Sequence, residues 1–336
     1  MDFRPKRPAK RPLALVLVEV SEFCSRAPVV IVAGKGGAGK STVSAALAHL
    51  AASQGLKALL VDLEGRPELT SGFDREQLLS YEAVTLFSKG AGRVDGRLVT
   101  SELALVEYFN DHGMGKLGRS LQRTGLLEIV ATAVPGLREL LILGKVKQLE
   151  TAGSYDLIVV DAPATGHAIT LLTSAAGMQD AASSGPLRQQ ANEVAAMLAD
   201  PKRSQVVLVT IAEELAVSET IEAAFAVEDK AGIRLGPVIV NGLYPDLAAL
   251  AIPAEMAAKD AGVSISASGL AQLEQARLLQ SSRLQRQNLE QDRLRAQLPL
   301  PSIALPRILG SQIDLEGLAE LSTAMAEAIS NMKPEF

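Results

Sequence analysis

The stretch Val29-Val30-Ile31-Val32-Ala33 leads into Gly34-Lys35-Gly36-Gly37-Ala38-Gly39-Lys40-Ser41-Thr42 and then into the helix-forming run Val43 to Ser53. No other feature constrains the fold as much. A β-branched strand, a glycine-rich turn and a helix in that order match G-x-x-x-x-G-K-[ST] in the setting that gives the motif meaning. Glycines let such a loop turn tightly and bring successive backbone N–H groups, with the helix N-terminus, onto phosphate oxygens. Gly34, Gly36, Gly37, Ala38, Gly39, Lys40, Ser41 and Thr42 are therefore the expected phosphate-binding residues. Lys40 is expected to reach the β- and γ-phosphates, and the Ser41 hydroxyl to ligate Mg²⁺.

Two further apolar runs end in acids. Leu59-Leu60-Val61-Asp62-Leu63-Glu64 reads as a strand with Asp62 and Glu64 at alternate positions, hence on one side, at the edge where open α/β sheets bind ligands. Catalytic positioning or capping of the following turn both account for such a pair. Asp156-Leu157-Ile158-Val159-Val160-Asp161 is an apolar strand closed by an acid, and Asp161 is expected to hold a water of the Mg²⁺ shell. Strands are also expected over Gln205–Thr210, Pro237–Asn241 and from Ser302 to Pro306, with a final helix from Leu315 to Met332. The alternation predicts an α/β fold, a doubly wound, mostly parallel sheet of the P-loop NTPase type. Residues 28–336 are expected to form a single ATPase domain, preceded by a basic, proline-rich arm and lead-in over residues 1–27.

Composition narrows the function classes. The chain has 336 residues with 48% hydrophobic and 21% charged, a globular balance. Its single cysteine, Cys24, excludes an intramolecular disulfide and a CxxC zinc site, so no structural zinc is expected. The net charge of −5 divides into +4 on the first twelve residues and −9 on the remainder. With an acidic body, no tryptophan and few aromatics, nucleic acid is not an expected partner. The apolar run Leu13 to Val18 is cut at Glu19, too short for a signal peptide, and no run reaches a membrane span. A cytoplasmic location is expected, with the basic arm as the place for any peripheral membrane contact.

The loop GKGGAGKST resembles the deviant Walker A of the group that includes ParA, MinD, nitrogenase iron protein and the ArsA-type ATPases. In that group the additional lysine, here Lys35, crosses a dimer interface to the partner's nucleotide. Ala162-Pro163-Ala164-Thr165-Gly166-His167 is similar to the second switch of the ArsA-like family, and Pro135-Gly136-Leu137-Arg138-Glu139 resembles the element that precedes it. The resemblance runs from Val29 to Met332 and is closest to the actinobacterial ArsA-like ATPases. It implies that Glu64 aligns with the carboxylate orienting the attacking water, with Asp62 as the fallback, although Gly65-Arg66-Pro67 departs from the family's Asp-Pro-Ala-His. It implies that Asn241 contacts adenine, where Asn-Gly alone reads as a turn, and that Pro306 lines the other side of the base. His167 is expected to act as a hinge or helix-start contact.

The catalytic set so expected is Lys35, Lys40, Glu64 and Asp161, with ATP and Mg²⁺ as cofactors. Two segments, Arg93–Thr132 and Ser174–Pro201, are expected as helical insertions outside the nucleotide core. In the tail-anchored-protein-targeting relatives, helices at these places build a hydrophobic groove, while core or dimer packing is the plainer reading of Met114, Met178 and Met197. Leu279, Leu284, Leu289 and Leu294 step by five residues and imply a surface helix. The whole points to a dimeric ATP-driven switch, as a homodimer or with a sister ATPase, acting on a hydrophobic cargo or a membrane protein. A MinD- or ParA-like positioning ATPase and an arsenite-pump subunit are the alternatives.

Overall fold

The computed structural model describes residues 19–111, 113–116, 120, 134–181, 184–310 and 313–332. The basic arm therefore lies outside the described residues, as does most of 112–133. The centre is an eight-stranded sheet in the order β3-β4-β2-β5-β1-β6-β7-β8. Its strands are β1 Val29–Gly34, β2 Lys57–Asp62, β3 Val84–Lys89, β4 Gly92–Leu98, β5 Leu157–Ala164, β6 Ser204–Ile211, β7 Val238–Leu243 and β8 Ser302–Pro306. All neighbours are parallel except the edge pair β3–β4. The P-loop strand β1 is central and buried along its whole length, as expected of a parallel strand covered on both faces.

One face is covered by α2, Lys40–Ser53, and by the C-terminal helix α11, Leu315–Ser330. The alanines of α2 favour helix and let sheet and helix approach closely. Leu318, Leu321, Met325 and Ile329 of α11 are buried in this layer. The opposite face is covered by α5 Leu137–Thr151, α6 Thr165–Ala181, α7 Pro186–Ala199 and α8 Glu214–Ala226. Other helices are α1 Val20–Ser25, α3 Glu68–Ser71 and α4 Ser101–Asp111.

The first expected insertion needs correction at its start. Residues 93–98 are not helical but belong to β4, paired in parallel with β2 from Lys57↔Arg93 to Asp62↔Leu98. The strand is hard to read because its buried face carries an acid: Asp95 accepts from Thr85 Oγ1 at 2.8 Å and from the Tyr155 hydroxyl at 3.1 Å, and pairs with Arg93. A Cβ on Gly92 would lie 1.8 Å from the Ala52 carbonyl oxygen, so α2 can cross the start of this strand only over glycine. The second expected insertion is helical where described, over 174–181 and 186–199, and these helices belong to the layer on the second face. Met178 and Met197 are buried in the core there, because α6 and α7 present them to the sheet. Ser183 and Thr132 lie outside the described residues.

Residues 241–283 include no buried residue. They comprise α9 Ala254–Asp260 and most of α10 Ala267–Gln297. Only the distal part of α10 seats on the body: Leu284, Gln287, Glu290 and Leu294 are buried, whereas Leu279 and Leu289 are exposed. The five-residue leucine step thus alternates between a buried and a solvent face. Glu274 ties the two helices together by accepting from the Ala254 N–H at 3.0 Å, while Arg277, paired with Glu274 on α10, donates to the Leu250 carbonyl ahead of α9 at 2.7 Å. No described helix is long and apolar enough to cross a membrane.

Candidate nucleotide site

The carboxyl ends of β1, β2, β5, β6 and β7 converge on the glycine-rich loop. Gly34 has φ +155° and a Cβ there would meet the Val209 carbonyl oxygen of β6 at 2.1 Å, so the loop leaves the sheet at a place that admits only glycine. Gly39 is left-handed at φ +84° and forms the N-cap of α2. A Cβ on it would lie 2.2 Å from Asn241 Nδ2. Asn241 itself donates from Nδ2 to the Ala38 carbonyl at 3.0 Å, which fastens the end of β7 to the loop. One N–H and the carbonyl oxygen of its amide are left over from that bond. Pro306 is the register partner of Leu243, two residues beyond Asn241, so both residues expected at the base lie on adjacent strand ends.

Lys40 is buried, and its ammonium donates to the Lys35 carbonyl oxygen at 3.3 Å. Its pKa is lowered, first by burial and then by the Arg66 guanidinium, with Asp161 and Glu64 opposing. Asp161, also buried, accepts from Ser41 Oγ at 2.7 Å and from Ser44 Oγ at 2.9 Å. Burial pushes its carboxyl pKa upward against those two hydrogen bonds. A hydroxyl held against a buried carboxylate is an oxygen donor set suited to a hard divalent cation. Ser44 had no assigned role; it is one helical turn from Ser41, and that i, i+3 spacing on the helix after the loop was the available signal.

At β2 the expectation is corrected in part. The strand stops at Asp62, and Glu64 lies in the bend after it rather than on a shared strand face. Asp62 caps this bend: Oδ1 accepts from the N–H groups of Glu64 at 2.9 Å and Gly65 at 3.0 Å, and Oδ2 from that of Arg66 at 2.8 Å. Both carboxylate oxygens are thus committed to backbone. Glu64 is partly exposed and pairs with Arg66, whose other terminal nitrogen donates to Ser41 Oγ at 3.3 Å. Arg66 was not among the expected site residues.

Lys35 pairs with Glu219 of α8 at 3.0 Å. Thr42, at the start of α2, is half-buried. His167 is exposed in the first turn of α6, immediately after β5, in keeping with a helix-start position. Gly136 of the upstream element is the left-handed N-cap of α5 at φ +83°, and Arg138 donates to Ser101 Oγ at 3.3 Å on the α4 side.

The chain matches the family model of anion-transporting ATPases over residues 27–183 and 181–256. It is 34% identical over 318 residues to the ATPase BagA of Mycobacterium tuberculosis, covering 88% of this chain and 92% of that protein. Shorter matches are with the ATPase ARSA1 of Chlamydomonas reinhardtii, 31% identical over 43% of this chain and 22% of that protein, and with the ATPase ASNA1 homolog 2 of Paramecium tetraurelia, 28% identical over 43% and 42%.

Proposed function

Since the chain belongs to the anion-transporting ATPase (ArsA) family and is an ATPase, we propose that it works as a Mg²⁺-dependent dimeric switch that couples ATP binding and hydrolysis to a hydrophobic or membrane-associated partner. The observation that carries this reading is the Ser41–Asp161 hydrogen bond at the foot of the loop, beside the buried Lys40. It joins two of the three groups phosphoryl transfer requires, a cation ligand and a carboxylate for the cation's shell, on the residue next to the third, a lysine for the phosphates. Ser41 would hold Mg²⁺ directly and Asp161 through water, and the ion, when bound, supplies positive charge against the phosphate oxygens. Gly36, Gly37 and their neighbours would offer the loop N–H groups, and Asn241 with Pro306 would flank adenine.

Glu64 is the better candidate to orient the attacking water, because both oxygens of Asp62 already accept backbone hydrogen bonds. Lys35 would serve the partner's nucleotide, exchanging Glu219 for phosphate when two protomers meet. The partner protomer is a second copy or a sister ATPase. Residues 28–336 would act as a single domain in the cytoplasm, with the basic residues 1–12 as the place for a peripheral membrane contact. An arsenite-binding role is the weaker reading: Cys24 is buried and its thiol pKa is pushed up to about 12 by desolvation, so it offers no thiolate to a metalloid. A positioning protein anchored through an amphipathic C-terminal helix is also weaker, since the apolar stripe of α11 is consumed by the core.

Steady-state ATPase assays of purified protein test the proposal. Lys40→Ala should abolish Mg²⁺-dependent turnover, and Lys35→Ala should keep ADP binding while losing turnover and ATP-dependent dimerisation in sedimentation. Undiminished hydrolysis by Lys40→Ala would refute the site.

A further inference from the structure

Arg66 is a charged side chain at the site that the proposed reading leaves without a role. It follows β2, in the stretch Gly65-Arg66-Pro67 where this chain departs from the switch of the family it resembles. Its backbone is fixed, because the Arg66 N–H is the third donor to the buried Asp62 carboxylate. Its guanidinium spans two groups from different parts of the chain: one terminal nitrogen meets the Ser41 hydroxyl at 3.3 Å, and the other pairs with Glu64. An arginine that served only as a surface partner for Glu64 would have no reason to lie against a hydroxyl on the first turn of α2.

Electrostatics give the placement a direction. The buried Lys40 ammonium lies at the same site, and two cations converging on one place favour a polyanion between them. Of the cations there, Lys35 is already tied to Glu219. A divalent cation recruited to Ser41 would repel the guanidinium from that hydroxyl and leave it to a neighbouring anion. The fork of an arginine matches phosphate oxygens in a way a lysine does not.

We infer that Arg66 is a γ-phosphate-binding arginine supplied in cis, resting on Ser41 and Glu64 in the free protein and moving to the γ-phosphoryl oxygens when nucleoside triphosphate binds. The inference rests on the nucleotide-site reading above. In the reaction it assists, the water oxygen bonds to the γ-phosphorus and the bond to the β,γ-bridging oxygen breaks, its electron pair leaving on ADP. The protons of the water end on inorganic phosphate and solvent. Arg66 gives up no proton; it donates hydrogen bonds to oxygens on which negative charge is concentrated. Its departure also frees Glu64 to accept a hydrogen bond from water.

The test compares two nucleotides that differ by the γ-phosphate. Binding of ADP and of a non-hydrolysable ATP analogue, each with Mg²⁺, is measured by calorimetry on the full chain and on Arg66→Gln and Arg66→Lys. Both variants keep the backbone N–H that Asp62 holds. Arg66→Gln should bind ADP within about twofold of the parent and the analogue at least about tenfold more weakly, with turnover lowered about 100-fold or more. Arg66→Lys should recover part of the analogue affinity and little of the turnover. Equal weakening of both nucleotides, or unchanged analogue affinity, would overturn the role of Arg66 while leaving the nucleotide site standing. A parent protein that binds neither nucleotide would overturn both.

Discussion

Asp62 and Asp161 lie on neighbouring parallel strands, are register partners of one another and are equally hidden from solvent. They do opposite things. Asp161 reaches across to the first turns of α2 and takes two hydroxyl hydrogen bonds. Asp62 folds back on its own chain and takes three backbone N–H groups. The two strands also continue differently: β5 extends to Ala164 before a helix begins, whereas β2 breaks at the acid. A strand that ends in a bend surrounds its terminal carboxylate with orphan N–H donors. A strand that runs on leaves the carboxylate free to look for partners elsewhere. One acid is thereby bound to its own backbone, and the other to hydroxyls of the helix after the loop.

Substitutions that treat the two acids alike should separate them. The largest effect is expected from Asp161→Ala, which should lower Mg²⁺-ATP turnover by about 1,000-fold or more while leaving a folded protein, as read by steady-state kinetics and circular dichroism. Asp62→Ala should be felt first in stability. Three buried or half-buried N–H groups lose a charged acceptor, at a cost of about 2–4 kcal/mol in denaturant unfolding, with Asp62→Asn costing less. If Asp62→Ala stopped turnover as completely as Asp161→Ala at unchanged stability, the division of roles would be reversed. The smallest effect should come from Ser44→Ala, which removes one of the two hydroxyls on Asp161. About 1 kcal/mol of stability and a few-fold in rate are expected there, against near-complete loss of turnover for Ser41→Ala. Similar rates for the two serine variants would mean that Ser41 has no special claim on the cation.

The same contrast accounts for what was legible beforehand. The loop, β1, the apolar part of β5 and the strand end at Pro306 were readable because their character is local, glycines at forced positive φ and β-branched runs, whereas β7 and β5 run on past Asn241 and Asp161 to Leu243 and Ala164. Strand β4 was not readable, because the partners that make Asp95 tolerable in a sheet, Thr85 and Tyr155, come from other segments. Glu64 was assigned to a strand for a similar reason: nothing local says that the chain bends at Asp62. The methionines of α6 and α7 could belong to an exposed groove or a core by composition alone, and only packing against the sheet decides for the core.

The amino-acid sequence by itself determined that a phosphate-binding loop sits between a buried strand and an alanine-rich helix, that two acids follow on apolar strands, and that one cysteine rules out a thiol cluster. Tertiary structure decided which acid faces Ser41, that Arg66 joins Ser41 to Glu64, and that Lys35 rests on Glu219. Motifs fix backbone shape over a few residues, where sterics and hydrogen bonding act through the chain. The pairing of charges depends on which strand ends the sheet order brings together, and that order is set by long-range burial.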